Sequence, residues 1–342
     1  MQKTVSIALS ILLLGGGMRA MPSLLPILIV DKGDAHNLTG WEQYHNCAQV
    51  VAILLTLNGT YPDIIDVFSI GKSFLGREIY CVRLTNESNS SPKPEVFFNG
   101  YHHAREQITS ELTLFFVVYV ATNYGSNATV TELLDNCDVY VVVALNVDGF
   151  DLFEENGRQR ANARGVDLNR NYDYAWVGEG GEPFSEPETK AIRDFTLAHH
   201  FKYASSFHSG TELVLYPWGC TTQAPPDSLK LGEISKGISD VNRGTQYKQS
   251  CFLYIANGTW GDWTYGVAGV PAITCEIFGY IPSGQPYSYG PDPEPSPSTG
   301  YVGEIKYRYN PHAEYIKACL LRWLPAFFYV MNRAVQEACG KP

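Results

Sequence analysis

The sequence GYHHARE places His103 and Glu106 three residues apart, between an apolar segment and a predicted helix. Residues at that spacing share one side of a helical turn. Imidazole nitrogen and carboxylate oxygen are ordinary zinc ligands, and a catalytic zinc site combines three protein ligands with one open position. His208, in the sequence SFHS after another apolar segment, is the candidate third ligand. Each of these residues alone also fits a surface pair or a core histidine, so the interpretation depends on other candidates in the chain.

A group of basic and amide side chains lies between the second and third candidate ligands. Arg160 precedes the sequence GVDLNRN, which contains Asn169 and Arg170. A guanidinium group matches a carboxylate with two parallel hydrogen bonds, so an Asn–Arg pair on a loop can hold a carboxylate ligand. The alternative interpretation is a turn with solvated charges.

Two more candidates follow nearer the C-terminus. Glu276 closes the apolar segment AITC, where partial shielding from water suits a general base. Tyr254 lies a few residues before the sequence WGDW and completes the set. Together these side chains could activate water beside a bound carboxylate, which is the chemistry of hydrolysis at a chain end.

The elements that must position these residues alternate between strands and helices. This order predicts an α/β fold, a single domain with a central mixed, largely parallel sheet flanked by helices. Sheets of this kind bind ligands just beyond strand ends, where we expect the candidate residues to lie. Predicted strands cover residues 64–70, 79–84, 96–98, 139–145, 203–207 and 272–277, and predicted helices cover residues 41–57, 106–122, 185–200, 226–241 and 311–339. The proline-rich segment 283–300 is predicted to form a loop at the rim of the cleft.

The N-terminus has the layout of a secretory signal peptide, with Lys3 before an apolar run. We predict a signal peptide over residues 1–20, a short segment over 21–38 and the main domain over 39–340. The alternative for the first two segments, 1–20 and 21–38, is a single membrane anchor that is not cleaved. Export also agrees with eight cysteines, whose even number predicts disulfides, and with six Asn-x-Ser/Thr sequons, which predict a glycoprotein.

The charge of the chain narrows the classes of partner. The formal net charge is −10 at pH 7, and no basic stripe is present to neutralise phosphates, which argues against nucleic-acid binding. We expect a monomer with no membrane contact beyond an uncut N-terminus.

The ordered set of motifs resembles the zinc metallocarboxypeptidase family typified by pancreatic carboxypeptidase A, from about Tyr44 to the closing helix. The resemblance implies one Zn²⁺ per chain, held by His103, Glu106 and His208, with Asp167 orienting the first histidine. It implies a secreted peptidase that acts on the C-termini of peptides and proteins. The stretch before residue 39 is too short for the folded pro-domain of the digestive members, so we expect none.

The resemblance also implies a role for each remaining candidate. Glu276 matches the general base that takes a proton from water, and Arg160 matches the arginine that stabilises the oxyanion. Asn169 and Arg170 match the pair that binds the free C-terminal carboxylate. Tyr254 matches the mobile tyrosine that closes over the substrate.

Substrate preference is predicted from the floor of the specificity pocket. Gly261 matches a position that is acidic in members preferring Lys or Arg, and Gly219 and Thr274 match other wall positions. A neutral pocket predicts a preference for apolar or aromatic C-terminal residues. Four acidic residues on nearby loops would reverse this prediction if they reached the pocket: Glu179, Glu182, Asp292 and Glu294.

Three other interpretations remain open at this point. The enzyme could be specialised for basic C-termini or for cell-wall peptides, or the chain could be a non-catalytic relative that captures C-termini. Gly210 replaces a tyrosine common in the family two residues after the third ligand, so an outer subsite is expected to differ.

Overall fold

The centre of the molecule is a mixed sheet, and the computed structural model describes residues 40–152, 159–179, 181–280 and 309–340. Within these ranges the sheet has seven strands. In chain order they are β1 (Ile65–Lys72), β2 (Glu78–Leu84), β3 (Glu95–Asn99), β4 (Asp138–Val142), β5 (Phe201–Tyr216), β6 (Tyr247–Gln249) and β7 (Ala272–Tyr280). Their order across the sheet is β1-β2-β4-β3-β5-β6, with β7 paired to β5.

The strand directions give the sheet its mixed character. The β1–β2 and β2–β4 pairs are antiparallel, whereas β3 runs parallel to β4 and β5. Strand β5 is parallel to β6 and, through its first half, to β7; its second half pairs with β7 in the opposite direction. Central parallel strands are covered on both faces and so carry apolar side chains on both. The strands β3 and β4 show this pattern, with four consecutive buried residues each. The predicted α/β fold with a mixed, largely parallel sheet is confirmed.

Strand β5 is much longer than the strand predicted before His208, and it bends around β7. His208 in the first half and Leu213 in the second half both pair with Glu276. The bend occurs at Gly210, where φ is +132° and an added Cβ would lie 2.9 Å from the Tyr309 ring. His208 and Glu276 therefore lie inside long strands and not at strand ends as predicted, because the bend lets the sheet continue past them.

Eight α-helices flank the sheet in the described part of the chain. They are α1 (Cys47–Thr60), α2 (Gln107–Asn123), α3 (Ala128–Asn136), α4 (Gly149–Leu152), α5 (Pro187–Leu197), α6 (Ser228–Val241), α7 (Trp260–Gly266) and α8 (Ala313–Ala338). Helix α2 is buried along almost its whole length, because it packs between the sheet and α8. Phe116 of α2 stacks on Phe327 of α8 with ring centroids 4.2 Å apart, which fixes the helix that follows Glu106.

The first helix begins later than its amphipathic pattern predicts. Asn46 is the N-cap, and its side chain accepts a hydrogen bond from the Gln49 backbone while the Gln49 side chain accepts one from Asn46. This capping box ends the extended segment that contains Trp41. Trp41 is buried edge-on against Phe115 of α2 instead of lying in a helix.

The eight cysteines all lie in the described ranges, and no disulfide joins any two of them. The disulfides predicted from the even number are therefore absent. Cys81, Cys137 and Cys275 are buried in the core, where a thiol acts as a small apolar side chain.

Several sequence predictions concern residues that the structure does not describe. The signal peptide over 1–20, the segment 21–38 and the loop 283–300 lie outside the described residues. Across the described ranges, no helix combines the length and the apolar character that a membrane span requires.

Candidate active site

Three of the predicted residues converge at one end of the sheet, and we call them the metal cluster: His103, Glu106 and His208. Each offers one ligand atom, and these atoms lie within 4.8 Å of one another. His103 Nδ1 lies 2.8 Å from Glu106 Oε1 and 3.2 Å from His208 Nδ1, and His208 Nδ1 lies 3.1 Å from Glu106 Oε2. All three side chains are buried.

The local backbone explains how His103 and Glu106 come to face His208. Strand β3 ends at Asn99, and a tight turn carries the chain to Glu106, the N-cap of α2. Tyr101 adopts a positive φ of 59° in this turn. Gly100 is required beside it, because an added Cβ would lie 2.7 Å from the Thr109 carbonyl oxygen. The segment between β3 and α2 therefore places the side chains of His103 and Glu106 side by side, facing β5.

The electrostatics of the cluster suit a cation. Burial would raise the pKa of Glu106, but His103 and His208 hold it well below the usual range. Burial lowers the pKa of His208, against the opposing effect of Glu106. Two imidazole nitrogens that face each other at 3.2 Å beside a carboxylate form a donor set that fits a zinc ion.

Arg160 and Asp167 form a charged layer beside the cluster. Asp167 Oδ1 lies 3.3 Å from His103 Nε2, and Asp167 Oδ2 accepts a hydrogen bond of 2.6 Å from Arg160 Nε. Burial would raise the pKa of Asp167, but His103 and the arginines hold it far below its usual range. Arg160 also lies 4.0 Å from Glu106, so a fixed positive charge stands at the edge of the cluster.

A pocket with about 550 Å³ of empty space, which includes space open to solvent, lies beside the cluster. It is lined by His208 of the cluster and by seven more of the predicted residues, namely Asn169, Arg170, Gly219, Tyr254, Gly261, Thr274 and Glu276. The structure thus brings one candidate ligand, the candidate base and the candidate carboxylate-binding pair to one cavity, with the other two candidate ligands next to His208.

The Asn169–Arg170 pair is held ready for a ligand. The Asn169 side-chain oxygen accepts a hydrogen bond of 2.8 Å from the Trp260 backbone, so the amide nitrogen is the group turned to donate. Arg170 donates to the Asn169 carbonyl at 2.7 Å and lies under the Tyr254 ring, with 5.7 Å from Cζ to the ring centroid. Tyr254 lines the pocket and is half exposed.

Glu276 lies between the pocket and the metal cluster, paired with His208 across the sheet. Burial, together with the neighbouring Glu106 carboxylate, raises the pKa of Glu276 to about 8, against the opposing effects of Arg160 and Arg105. A cation held by the cluster would favour the ionised form of this carboxyl. The position suits a proton acceptor for a water molecule between Glu276 and the cluster.

Three residues at the pocket floor carry no charge, namely Gly261, Gly219 and Thr274. An added Cβ at Gly261 would meet Thr274 Oγ1 at 3.4 Å, and one at Gly219 would meet Ser250 at 3.4 Å, which are ordinary contacts. Asp262 also borders the floor, but its carboxylate accepts hydrogen bonds from the Gly219 and Cys220 backbone amides at 2.8 to 3.0 Å. Burial also raises the pKa of Asp262.

The acidic residues that could have reversed this character do not line the pocket where they are described. Glu179 is exposed and lies 3.5 Å from Arg170 Nε, at the carboxylate-binding pair and not at the floor. Glu182 does not line the pocket either. Asp292 and Glu294 lie outside the described residues.

Sequence reasoning assigned no role to two residues that adjoin the site. Arg105 packs its guanidinium over the Tyr309 ring at 4.1 Å. His102 is fully buried against His208, with ring centroids 5.3 Å apart. The available signal was their position beside His103 in the sequence GYHHARE, where a second histidine and an arginine directly flank a candidate ligand turn.

A sequence model of the family described as zinc carboxypeptidase matches residues 50–289 of this chain. Carboxypeptidase A1 of Bos taurus is 30% identical over 269 residues, which make up 70% of this chain and 64% of that protein. Carboxypeptidase B of Astacus astacus is 31% identical over 269 residues, which make up 69% of this chain and 87% of that protein. The chain therefore spans less than two thirds of the length of the mammalian relative.

Solved structures share the fold at lower identity. The crystal structure of thrombin activatable fibrinolysis inhibitor superposes with a TM-score of 0.72 at 22% identity, covering 89% of this chain and 77% of that one. Carboxypeptidase A from Helicoverpa armigera gives a TM-score of 0.72 at 22% identity, covering 91% and 78%. At this level of identity the likeness concerns the fold.

Proposed function

The chain belongs to the zinc carboxypeptidase family, and we propose that it is a metallocarboxypeptidase that hydrolyses the C-terminal peptide bond of peptides and proteins. One observation carries the proposal. The metal cluster, Glu276 and the Asn169–Arg170 pair all border a single pocket or its edge. A bond one residue from a captured carboxylate would therefore lie beside the cluster.

His103, Glu106 and His208 would hold one Zn²⁺, because their three donor atoms converge in a buried, anionic setting. Zinc in such a site supplies Lewis acidity to a water molecule and to a carbonyl oxygen. Asp167, close to His103 Nε2, would keep that ring oriented.

The remaining residues would move protons and stabilise charge. Glu276 takes a proton from the attacking water and later delivers it to the leaving amine. Arg160 is fixed by Asp167 and presents positive charge where the carbonyl oxygen becomes negative. Because this charge is already in place, it needs no reorganisation during the reaction.

Arg170 and Asn169 would restrict hydrolysis to the last residue. A guanidinium and an amide donor together bind a terminal carboxylate, which internal residues do not offer. Tyr254, half exposed above Arg170, would close over the bound residue.

The preferred C-terminal residue is apolar or aromatic. Gly261, Gly219 and Thr274 leave a neutral floor, and the hydrogen bonds from two backbone amides occupy the carboxylate of Asp262. A Lys or Arg side chain would lose hydration there and would meet a carboxylate that two backbone amides already engage. The alternatives of basic C-termini and cell-wall peptides would need a carboxylate or other polar group at the floor that is not engaged in this way.

We also propose that the protein is exported, glycosylated and monomeric. The apolar run near Lys3 and the six sequons support export. Expression in a secreting eukaryotic host tests this: we expect the protein in the medium, with a mass that falls after glycosidase treatment. Retention in the cell with an intact N-terminus would favour the uncut anchor.

The central test combines metal analysis with peptide hydrolysis. We expect one zinc ion per chain, release of single C-terminal residues from free-acid peptides, and no release from the same peptides with amidated C-termini. Peptides ending in Phe should be cleaved faster than matched peptides ending in Arg. A protein that binds zinc but releases nothing would favour the non-catalytic relative, and faster Arg release would overturn the specificity.

A further inference from the structure

The strand that carries the third candidate ligand also carries a serine, Ser206, whose hydroxyl contacts the His208 nitrogen that faces away from the metal cluster. We infer that Ser206, held by Asn99 and backed by His102, is a positioning residue that fixes His208 with its proton on Nε2 and a bare Nδ1. The inference rests on the proposed function for the identity of the metal, but the hydrogen bonds that carry it are a property of the protein alone.

The two nitrogens of His208 have different neighbours. Nδ1 lies 3.1 Å from Glu106 Oε2 and 3.2 Å from His103 Nδ1, so it is the nitrogen in the metal cluster. Nε2 lies on the other side of the ring, 3.2 Å from Ser206 Oγ. Ser206 and His208 are two residues apart on β5, so both point to the same face of the strand.

The direction of the Ser206–His208 hydrogen bond follows from the other partner of the serine. Ser206 pairs with Asn99 of the adjacent strand β3, and its hydroxyl donates to the Asn99 side-chain oxygen at 2.8 Å. A hydroxyl group has one proton and two lone pairs. With that proton engaged, Ser206 can only accept from His208, so His208 Nε2 must carry the hydrogen.

His102 contacts the same hydroxyl through its Nδ1. Its Nδ1 lies 3.4 Å from Ser206 Oγ, and its Nε2 lies 3.0 Å from the Tyr172 hydroxyl. If His102 donates from Nδ1, its Nε2 accepts from the Tyr172 hydroxyl. Each hydrogen bond in this network then has one defined donor and one defined acceptor. All these side chains are buried, so water does not compete for the bonds.

The consequence is a ligand whose tautomer is set before the metal arrives. A neutral imidazole binds a metal only through its unprotonated nitrogen, and the bond made by the other nitrogen selects the tautomer. Asp167 stands close to Nε2 of His103 on one side of the cluster, and Ser206 stands at Nε2 of His208 on the other. The partner of His208 is thus a neutral hydroxyl group, and Asn99 on the neighbouring strand β3 determines which way that hydroxyl donates its proton.

The tautomer can be read directly in the metal-free protein. In the full chain labelled with ¹⁵N-histidine, at a pH where the ring is neutral, we expect His208 to show a protonated Nε2 and a bare Nδ1. Comparison with the His208→Gln spectrum assigns the signals. A wild-type His208 protonated at Nδ1 would overturn the inference, and this measurement does not depend on any variant folding.

Zinc affinity provides the second readout, measured by competition with a chelator. Loss of hydrogen-bond partners to metal ligands typically lowers affinity about 10- to 100-fold, and we expect Ser206→Ala to fall in that range. Ser205→Ala is the matched control, because Ser205 is the neighbouring buried serine on β5 and its hydroxyl has no hydrogen-bond partner. It should bind zinc like the wild type.

Substitutions at Asn99 keep the Ser206 hydroxyl but change whether its proton is engaged. They therefore test whether the direction of the Ser206–His208 hydrogen bond, and not only the presence of the hydroxyl, sets the tautomer. Asn99→Asp keeps an acceptor for the Ser206 proton and should retain the Nε2-protonated tautomer. Asn99→Ala frees that proton to donate to His208, so Nδ1 protonation should become detectable and zinc affinity should fall. Equal tautomers in both variants would contradict the inference.

The outcomes distinguish this inference from the proposed function. A wild-type protein that binds no zinc contradicts the proposed function, whereas its His208 tautomer still decides the role of Ser206. A wild-type protein that binds zinc, with Ser206→Ala binding it equally well, contradicts the role of Ser206 alone.

Discussion

The metal cluster and the neighbouring pocket floor differ in how their side chains are held. In the cluster, hydrogen bonds and ion pairs engage His103, Glu106 and His208, and a further layer fixes Asp167 and Arg160. At the pocket floor, in contrast, Gly261 and Gly219 have no side chain, so the space there depends on the absence of side-chain atoms. A change in the cluster should therefore affect all substrates alike, whereas a change in the floor should alter which substrate is preferred.

The largest expected effect tests the first half of this comparison. Glu276→Gln removes the proposed proton acceptor while keeping the shape of the side chain, so kcat should fall about 10²- to 10⁴-fold for every substrate. Zinc content should stay unchanged, because Glu276 is not among the three clustered ligands. A variant that loses activity on one C-terminal residue but keeps it on another would contradict the comparison.

Much of the fold could be predicted because its central strands and helix are covered on both sides. The apolar runs of β3 and β4 and the long α2 could be identified from the sequence for that reason. Strand β5 was predicted too short, because polar residues such as Ser206 and Ser209 normally mark the end of a buried strand. Here both are buried beside His208, where the Ser206 hydroxyl bonds to Asn99 and the Ser209 backbone amide donates to Glu106.

The candidate site could be predicted as a list of residues but not as a network. The three candidate ligands meet in one cluster, and Asn169, Arg170, Tyr254, Gly261 and Glu276 line the pocket beside it. The partners of Ser206 lie 104 and 107 residues away in the chain, and no local pattern indicates such contacts. The disulfide prediction failed for a related reason, because counting cysteines ignores where each one lies.

The second prediction concerns Arg170, which lines the pocket between its floor and the metal cluster. Arg170→Ala should lower kcat/KM by about two to three orders of magnitude, because charged hydrogen bonds contribute about 1.5–3 kcal/mol each. Arg170→Lys should recover only part of the loss, since an ammonium group cannot form the bidentate pair. Rates on free-acid and amidated peptides measure this. If the variant still prefers free acids as strongly as the wild type, Arg170 does not select the chain end.

The third prediction changes the floor alone. Gly261→Asp places a carboxylate at the pocket base, where Cβ has only an ordinary contact with Thr274. The ratio of kcat/KM for Arg over Phe peptides should rise about 10- to 100-fold, as one charged hydrogen bond would give. Gly261→Asn is the matched neutral control and should not favour Arg. An unchanged ratio in Gly261→Asp would mean that the side chain of the last residue binds elsewhere.

The smallest expected effect is a change of pocket size without a change of charge. At Gly219 an added methyl group would contact Ser250 and the Ala256 carbonyl at 3.4 and 3.5 Å, so Gly219→Ala should fold normally while narrowing the pocket. Release of Phe should fall about tenfold relative to release of Val or Ala, since one methyl group in an apolar pocket is worth about 1–3 kcal/mol. Gly232→Ala in α6 is the control, because nothing lies within 4 Å of an added Cβ there.

If both variants keep the wild-type ranking of substrates, the pocket floor does not determine which C-terminal residue is preferred. If Gly219→Ala slows all substrates equally, the pocket wall and the metal cluster are mechanically connected, and the contrast between the two regions would not hold.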